Sequence, residues 1–331
     1  MAEKTIPAGK LPAELLVRLL GTFAAAPEVR LGPALGEDGC AIDVPSGVLV
    51  AASDPITLTG VDVGRMAVLL NANDIAVMGV RPRWFLATVL LPVGTVEEDV
   101  RRLFAGMRRA LDDIGATLVG GHTEVTNVVA RPVVVGQMLG LAEDGRFVRT
   151  GGVHPGDAIV QVGPVPVEGA AVLAVEAANR LEAVEEALVR GAARAVDDPG
   201  ISVVDAALAA AALGATALHD PTEGGLASGL HELAAASGVR LRIDPGEVRW
   251  FAPGLAVCLA VGADPWATLA SGCLLAAFDP HDSARAVAAL AAEGHQAARI
   301  GVAEPGSGVR RLDGRAIPWP ERDEVARALA K

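Results

Sequence analysis

The sequence predicts an α+β protein of two domains, and three observations point to this fold class. The 331 residues exceed the roughly 100–200 residues of a typical single domain. Strand-like and helix-like segments alternate in both halves, without the long run of strand–helix–strand units that a parallel sheet needs. A cluster of glycine and proline at Thr150–Asp157 separates the halves, so we expect domains at residues 1–150 and 151–331.

In the first half, apolar periodicity predicts helices and short strands. An amphipathic helix opens near Pro12, and Cys40–Val44 and Val48–Ala52 flank a Pro-Ser-Gly turn, as the strands of a hairpin would. The remaining expected elements are helices Gly64–Met78 and Val96–Ile114 and strands Phe85–Leu91, Leu118–Val119 and Val133–Leu141.

The second half repeats this alternation. Its expected strands are Ala158–Val162, Leu241–Ile243, Cys273–Phe278 and Ala298–Val302. Its expected helices are Ala170–Leu188, Val203–Leu213, one that follows Pro221, and Ser283–Glu293.

Composition excludes several classes of protein. A net charge of −12 would repel nucleic acid and anionic membranes. Lysine occurs only at Lys4, Lys10 and Lys331, which excludes a Walker-type phosphate loop or a pyridoxal Schiff base in the body of the chain. Any phosphate chemistry must therefore use arginine, backbone N–H groups or metal ions.

Cysteine usage and hydropathy indicate a cytoplasmic location. Cys40, Cys258 and Cys273 are far apart, which favours a reducing compartment and buried, inert thiols, with a nucleophilic role as the alternative. The uncharged stretch Trp250–Ala263 is far shorter than the ~20 residues of a membrane span. We expect no membrane association.

Three aspartates stand beside apolar segments. Asp38 and Asp54 adjoin predicted strands, and Asp74 lies in an almost wholly apolar helix, one turn after Asn71. An unpaired buried carboxylate is costly, so Asp74 needs a cation, strong donors or a wet cleft. Turn or cap roles and a polar contact that fixes helix packing are the alternatives. Together the three carboxylates suit a Mg²⁺–nucleotide site.

Two glycine-containing segments add candidate groups. In Asp220-Pro-Thr-Glu-Gly-Gly225, the Asp and Glu fit a capping box, whereas the two glycines suit a backbone that approaches phosphate. In Gly120-Gly-His-Thr-Glu124, the glycines suit a tight turn. His122 could serve there as base, metal ligand or hydrogen-bond partner.

These motifs resemble those of the aminoimidazole ribonucleotide (AIR) synthase-related superfamily over roughly residues 10–300. Its members include the hydrogenase maturation protein HypE, to which the sequence is most similar, thiamine-monophosphate kinase and selenophosphate synthetase. The resemblance rests on Gly36-Glu-Asp-Gly-Cys-Ala41, Ser53-Asp-Pro55, Asn71-x-Asn-Asp-Ile-Ala-Val-Met-Gly79, Gly120-Gly-His-Thr-Glu124 and Asp220-Pro-Thr-Glu-Gly-Gly-Leu226, in the family's order.

The resemblance implies a homodimer whose N-terminal α/β domains join their sheets into a β-barrel, each followed by a C-terminal α+β domain. It implies binding of ATP with Mg²⁺ held by Asp38, Asp54 and Asp74, with the segment around Asp220 near the phosphates. We expect His122 and Asp220 to be the catalytic residues. Residues expected at the nucleotide are Gly36, Asn71, Gly120, Gly121, Thr222, Gly224 and Gly225.

The implied chemistry is ATP-dependent phosphorylation of a small-molecule or protein-borne carboxamide, with a metalloenzyme maturation partner. A thiamine-monophosphate-kinase-like activity and a nucleotide-binding scaffold are the alternatives.

HypE proteins carry a carbamoyl group on a C-terminal Cys, whereas this sequence ends at Lys331 and its last cysteine is Cys273. We therefore expect no dehydration of a terminal thiocarbamate. His122 stands where such proteins usually have Asp, and Pro166 and Glu168 replace Gly and His of a HypE loop.

Overall fold

The chain folds as two compact units in the computed structural model, which describes residues 6, 9–32, 40–57 and 62–330. The N-terminal unit comprises Met1–Ile75 and Val80–Arg146, and the C-terminal unit comprises Ala76–Gly79 and Phe147–Lys331.

The N-terminal unit contains three helices and seven strands within the described residues. The helices are α1 (Ala13–Leu20), α2 (Val63–Ala76) and α3 (Glu97–Ile114). The strands are β1 (Gly9–Lys10), β2 (Val29–Leu31), β3 (Ala41–Ile42), β4 (Val48–Ile56), β5 (Pro82–Pro92), β6 (Thr117–Thr126) and β7 (Val133–Ala142).

Five of these strands form one sheet in the order β1-β6-β5-β7-β4, in which only β5 and β6 run parallel. The expected hairpin of Cys40–Val44 with Val48–Ala52 is wrong, because β3 pairs with β2 and β4 pairs along its whole length with β7. Strand β4 continues through Asp54 and Pro55 to Ile56. An edge strand tolerates the missing N–H of Pro55.

Helix α2 is buried on nearly every side and packs on the sheet through glycines of β7. An added Cβ at Gly136 would lie 2.3 Å from Nδ2 of Asn71, and one at Gly140 would lie 2.8 Å from Cγ2 of Ile75. Alternate residues of a strand share one face, so both glycines open the same face to the helix. This close approach brings the polar residues of α2 to the strands.

The C-terminal unit contains a six-stranded sheet and most of the helices. Its strands are β8 (Ala158–Val162), β9 (Ala217–His219), β10 (Val239–Ile243), β11 (Leu274–Phe278), β12 (Ala297–Pro305) and β13 (Gly308–Arg311). Its helices are α4 (Glu168–Glu176), α5 (Glu186–Ala193), α6 (Val204–Ala212), α7 (Gly225–Ser237), α8 (Ala252–Val261), α9 (Pro280–Ala292) and α10 (Glu324–Leu329).

The sheet of the C-terminal unit has the order β13-β10-β12-β8-β11-β9, and only β10 and β13 are parallel. Every residue of β8 and β11 is buried, as expected for central strands covered on both faces. The core between the sheet and α7 includes Leu230 and Leu275. The short strand β9, which the sequence pattern missed, extends the sheet at the β11 edge.

One expected helix divides into two. Ala170–Leu188 corresponds to α4 and α5, with a turn between them. The turn is fixed by Arg180, which donates a hydrogen bond of 2.9 Å to the carbonyl of Ala328. Within the described residues, no helix combines the length and the apolar character needed to cross a membrane.

Candidate functional site

Asn71 holds strand β4 against helix α2. Its Oδ1 accepts a 2.8 Å hydrogen bond from the backbone N–H of Asp54, and its Nδ2 donates to the carbonyls of Ala67 and Asp54 at 2.8 and 3.3 Å. The side chain is fully buried. Because a buried amide left without these partners would be costly, Asn71 fixes the position of the Asp54 backbone beside the helix.

Asp54 and Asp74 form a pair of neighbouring carboxylates. Burial raises the pKa of Asp74 to about 7, and the negative charge of Asp54 adds to that rise. Burial also raises the pKa of Asp54. Within the described residues no basic side chain lowers either pKa. A divalent cation would stabilise both ionised carboxylates at once.

The pair fits the magnesium that the family resemblance implies. Mg²⁺ takes one or two carboxylates and completes its shell with water and substrate phosphates. No group of three or more His, Cys, Asp or Glu side chains able to hold a metal occurs in the described parts of the chain. Asp38 and Gly36, also expected at this site, lie outside those parts.

The chain does not bring His122 to the aspartate pair. Residues opposite one another across the sheet share a face, and His122 belongs to the row formed with Thr88, Val135 and Pro55. Asp54 occupies the neighbouring row, which faces α2. His122 is exposed, and its Nε2 lies 3.4 Å from Oε2 of Glu124.

Gly120 and Gly121 lie inside strand β6, where the expected turn is absent. Gly121 has a φ of +144°, and a Cβ there would lie 2.1 Å from the carbonyl oxygen of Ala87. Only glycine allows β5 and β6 to approach so closely. The geometry gives Gly121 a packing role in the sheet, whereas a Cβ at Gly120 would make only an ordinary contact, 3.4 Å from Cδ2 of Leu86.

The capping box expected at Asp220 and Glu223 does not form. Helix α7 begins at Gly225, and its N-cap is Gly224, whose φ of +77° only glycine adopts readily. Asp220 is buried. The carbonyl of Thr222 accepts hydrogen bonds from the N–H groups of Gly225 and Ala270. The segment is thus a loop that runs into α7.

The N–H groups expected to bind phosphate have acceptors within the C-terminal unit. Gly224 donates a 2.7 Å hydrogen bond to Oδ2 of Asp323, and Gly225 donates to the carbonyl of Thr222 at 3.0 Å. The other oxygen of Asp323 accepts the N–H of Val325. Phosphate binding at Gly224 would therefore require Asp323 to release this N–H group.

A second pair of acids lies beneath this loop. Burial raises the pKa of Glu168 to about 7, the charges of Asp323 and Glu223 add to the rise, and Ser271 opposes it. Burial likewise raises the pKa of Asp323 to about 6. Oε2 of Glu168 and Oγ of Ser271 form no hydrogen bond of normal geometry in the described structure. The sequence singled out Glu168 only as a departure from HypE.

The cysteines of the C-terminal unit are packing residues. Cys258 and Cys273 are fully buried. Burial raises the pKa of Cys258 to about 11 and raises the pKa of Cys273 still further. Neither thiol supplies a nucleophile near neutral pH.

Comparison with known proteins identifies the family of both units. Residues 36–142 match the family model "AIR synthase related protein, N-terminal domain", and residues 154–313 match "AIR synthase related protein, C-terminal domain". The chain is 32% identical to "Carbamoyl dehydratase HypE" of Rhodobacter capsulatus over 77% of this chain and 74% of that protein.

Solved structures show the same fold. The crystal structure of E. coli HypE aligns with a TM-score of 0.78 at 23% identity, covering 95% of this chain and 98% of that one. A structure of HypE in complex with ATP aligns with a TM-score of 0.72 at 21% identity, covering 95% and 94%. The chain belongs to the AIR synthase related protein family.

Proposed function

We propose that this protein is an ATP- and Mg²⁺-dependent enzyme that phosphorylates the oxygen of a carboxamide. The observation that carries the proposal is the Asp54–Asp74 pair, which Asn71 holds in place without an offsetting basic side chain in the described structure. Both carboxylates would hold Mg²⁺, which neutralises charge on the transferred phosphoryl group when bound. Such chemistry suits a chain whose body lacks lysine.

The relatives support the proposed acceptor class. A relative at 32% identity is a carbamoyl dehydratase, and a protein of the same fold binds ATP. In the proposed reaction the amide oxygen attacks the γ-phosphorus of ATP and ADP leaves. Loss of inorganic phosphate and two protons from the amide nitrogen would then give a nitrile.

Measurement of ADP and phosphate release tests this assignment. The purified protein should consume ATP with a carboxamide or carbamoyl acceptor in Mg²⁺, and should stop when EDTA removes the metal. Asp74→Asn should lower turnover by at least about a hundredfold, as expected when a charge-stabilising group is lost. Asp113→Asn, at an exposed position of α3, is the matched control and should keep full activity. Unchanged turnover in Asp74→Asn would remove this residue from the site.

The same assay separates the alternatives. Turnover with thiamine monophosphate, and none with carboxamides, would favour a metabolite kinase. Tight ATP binding by calorimetry without turnover across acceptors would favour a nucleotide-binding scaffold. We also propose the maturation partner that the resemblance implies, which a pull-down with the purified partner of a HypE-type pathway would test.

We further propose a homodimer formed by the N-terminal sheet. On the face opposite α2, Leu90, Val133 and Val135 are half-buried, and joining two such faces into a barrel would remove them from water. Light scattering should give twice the chain mass. Val135→Lys should give monomers, whereas Val128→Lys, at a residue that is 77% exposed, should not.

A further inference from the structure

The C-terminal unit contains a cavity whose wall is built largely by the last part of the chain. Its volume is about 450 Å³, within the range that small-molecule ligands occupy. Its lining consists of eight residues between Ala316 and Arg327, together with Arg311, Ala227, Asp264, Trp266 and Ala267. The matched family model ends at residue 313. Most of this wall therefore lies beyond the matched range.

The apolar part of the lining includes an aromatic ring. Trp266 lines the cavity and is supported by Trp250, whose ring centroid lies 5.1 Å away in an edge-on arrangement. Ile317, Pro318 and Pro320 complete the apolar lining. An indole ring beside prolines suits a planar, apolar ligand body.

Two of the acidic residues in the lining are already bonded within the protein. The carboxylate of Glu324 accepts hydrogen bonds from the guanidinium of Arg327 and from the backbone N–H of Asp264. Oδ1 of Asp264 accepts the N–H of Trp266 at 3.0 Å. Glu324 and Arg327 therefore bond to each other, and Asp264 is held by the backbone N–H of Trp266.

Two arginines of the lining, by contrast, have N–H groups without a hydrogen-bond acceptor in the described structure. Nε of Arg311 is buried and has no hydrogen-bond partner, and Oδ2 of Asp313 lies 3.8 Å away. The guanidinium of Arg322 forms no hydrogen bond to any described residue. Ala227 belongs to the first turn of α7, where the helix dipole favours negative charge. Glu321 is the remaining acid in the lining and is exposed.

We propose that this cavity binds a small molecule that combines a planar apolar body with a single carboxylate or phosphate group. Trp266 would contact the body, and Arg311 and Arg322 would bind the anionic group. The proposal does not depend on the reaction assigned to the Asp54–Asp74 pair, since every residue it uses belongs to the C-terminal unit.

Calorimetry on the full-length protein with three probes of one shape tests the proposal. Naphthoate, naphthalenemethanol and naphthylmethylamine share a ring system and differ in charge. A hydrogen bond to a charged group contributes about 1.5–3 kcal/mol, so naphthoate should bind about tenfold more tightly than the alcohol. The amine should bind most weakly. Equal affinities, or a preference for the amine, would overturn the proposal.

Variants assign the binding to this cavity. Arg311→Gln and Arg322→Gln should each weaken naphthoate about tenfold, by loss of a charge-assisted hydrogen bond, and should leave the alcohol unchanged. Arg315→Gln is the matched control, because Arg315 is exposed and pairs with the same Asp313 at 3.1 Å. Trp266→Leu should weaken both probes alike.

If Arg311→Gln fails to fold, the exposed Arg322 provides the same test. Loss of naphthoate binding in Arg315→Gln as large as in Arg322→Gln would contradict the assignment. So would a crystal structure with naphthoate bound elsewhere.

Discussion

Each unit contains a pair of neighbouring carboxyl groups, Asp54 and Asp74 in the N-terminal unit and Glu168 and Asp323 in the C-terminal unit. The surroundings of the two pairs differ. Asp74 is half-buried beside the exposed Asp54, and each has its pKa raised without help from a basic side chain in the described structure. Glu168 and Asp323 are buried, and Asp323 accepts two backbone N–H groups. Similar pKa shifts therefore occur at a partly exposed pair, which is the proposed metal site, and at a buried pair held by backbone N–H groups.

The largest difference should appear when the polar neighbour of each pair is removed. Asn71→Ala should lower the free energy of unfolding by about 3 kcal/mol, because it leaves the N–H of Asp54 and other groups unpaired. Ser271→Ala should cost less than about 1 kcal/mol, because the contact of Ser271 Oγ with Glu168 is not a hydrogen bond of normal geometry. Urea unfolding measures both, with the exposed Asn127→Ala as control. Equal costs would mean that Asn71 does not hold the first pair.

Removing the charge of Glu168 from the Glu168–Asp323 pair should stabilise the protein at alkaline pH. Glu168→Gln should raise the free energy of unfolding at pH 8 by about 2 kcal/mol, since a buried carboxylate with a pKa near 7 is ionised there at a cost. Turnover of ATP should stay within about threefold of wild type. Chemical unfolding at pH 8 checks this, and the exposed Glu321→Gln should change nothing. Destabilisation by Glu168→Gln would indicate a buried cation or donor beside it.

The pH dependence of the free energy of unfolding, measured with and without Mg²⁺, should distinguish the two carboxyl pairs. The raised pKa values of Asp74 and Glu168 mean that the folded state keeps protons that the unfolded chain has released. The free energy of unfolding should therefore fall as the pH rises from about 4 to about 7. Saturating Mg²⁺ at pH 7.5 should restore about 1–3 kcal/mol by binding only the folded protein. Thermal melts should show this gain in wild type but not in Asp74→Asn. An equal gain in both would contradict metal binding at Asp74.

The smallest effect is expected at His122. It is exposed on the sheet face that α2 does not cover, so His122→Asn should change stability by less than about 0.5 kcal/mol. It should also change turnover by less than about threefold. Steady-state kinetics measures this directly. A hundredfold loss would show that His122 reaches the site from a second copy of the chain.

The sequence predicted features that depend on local pattern. Helices α2 and α3 and strands β5 and β7 lie within a few residues of their expected bounds. Helix α3 has a strong apolar periodicity, and the other three are long apolar segments. The spacing of Asn71 and Asp74 placed both in a buried helix, as the structure has them. Membership of the AIR synthase related family followed from short motifs that the family comparison confirms.

Features that depend on contacts between distant residues could not be predicted. The partner of β4 is β7, which is distant along the chain, and no local signal marks that pairing. Helix α7 begins at Gly225 and not directly after Pro221. The carboxylate of Asp323 accepts the N–H of Gly224, and this contact replaces a local cap. Gly136 was also missed, although a glycine within an apolar strand is a recognised sign of close approach by another segment.

The contact between Asp323 and Gly224 has a consequence for sequence variation. It joins positions 99 residues apart through one side chain and one backbone N–H. Among relatives that share the last helix, an acidic residue at position 323 and a glycine at position 224 should be inherited together. Where one of the two is replaced, a compensating substitution should provide another hydrogen-bond partner at the start of helix α7.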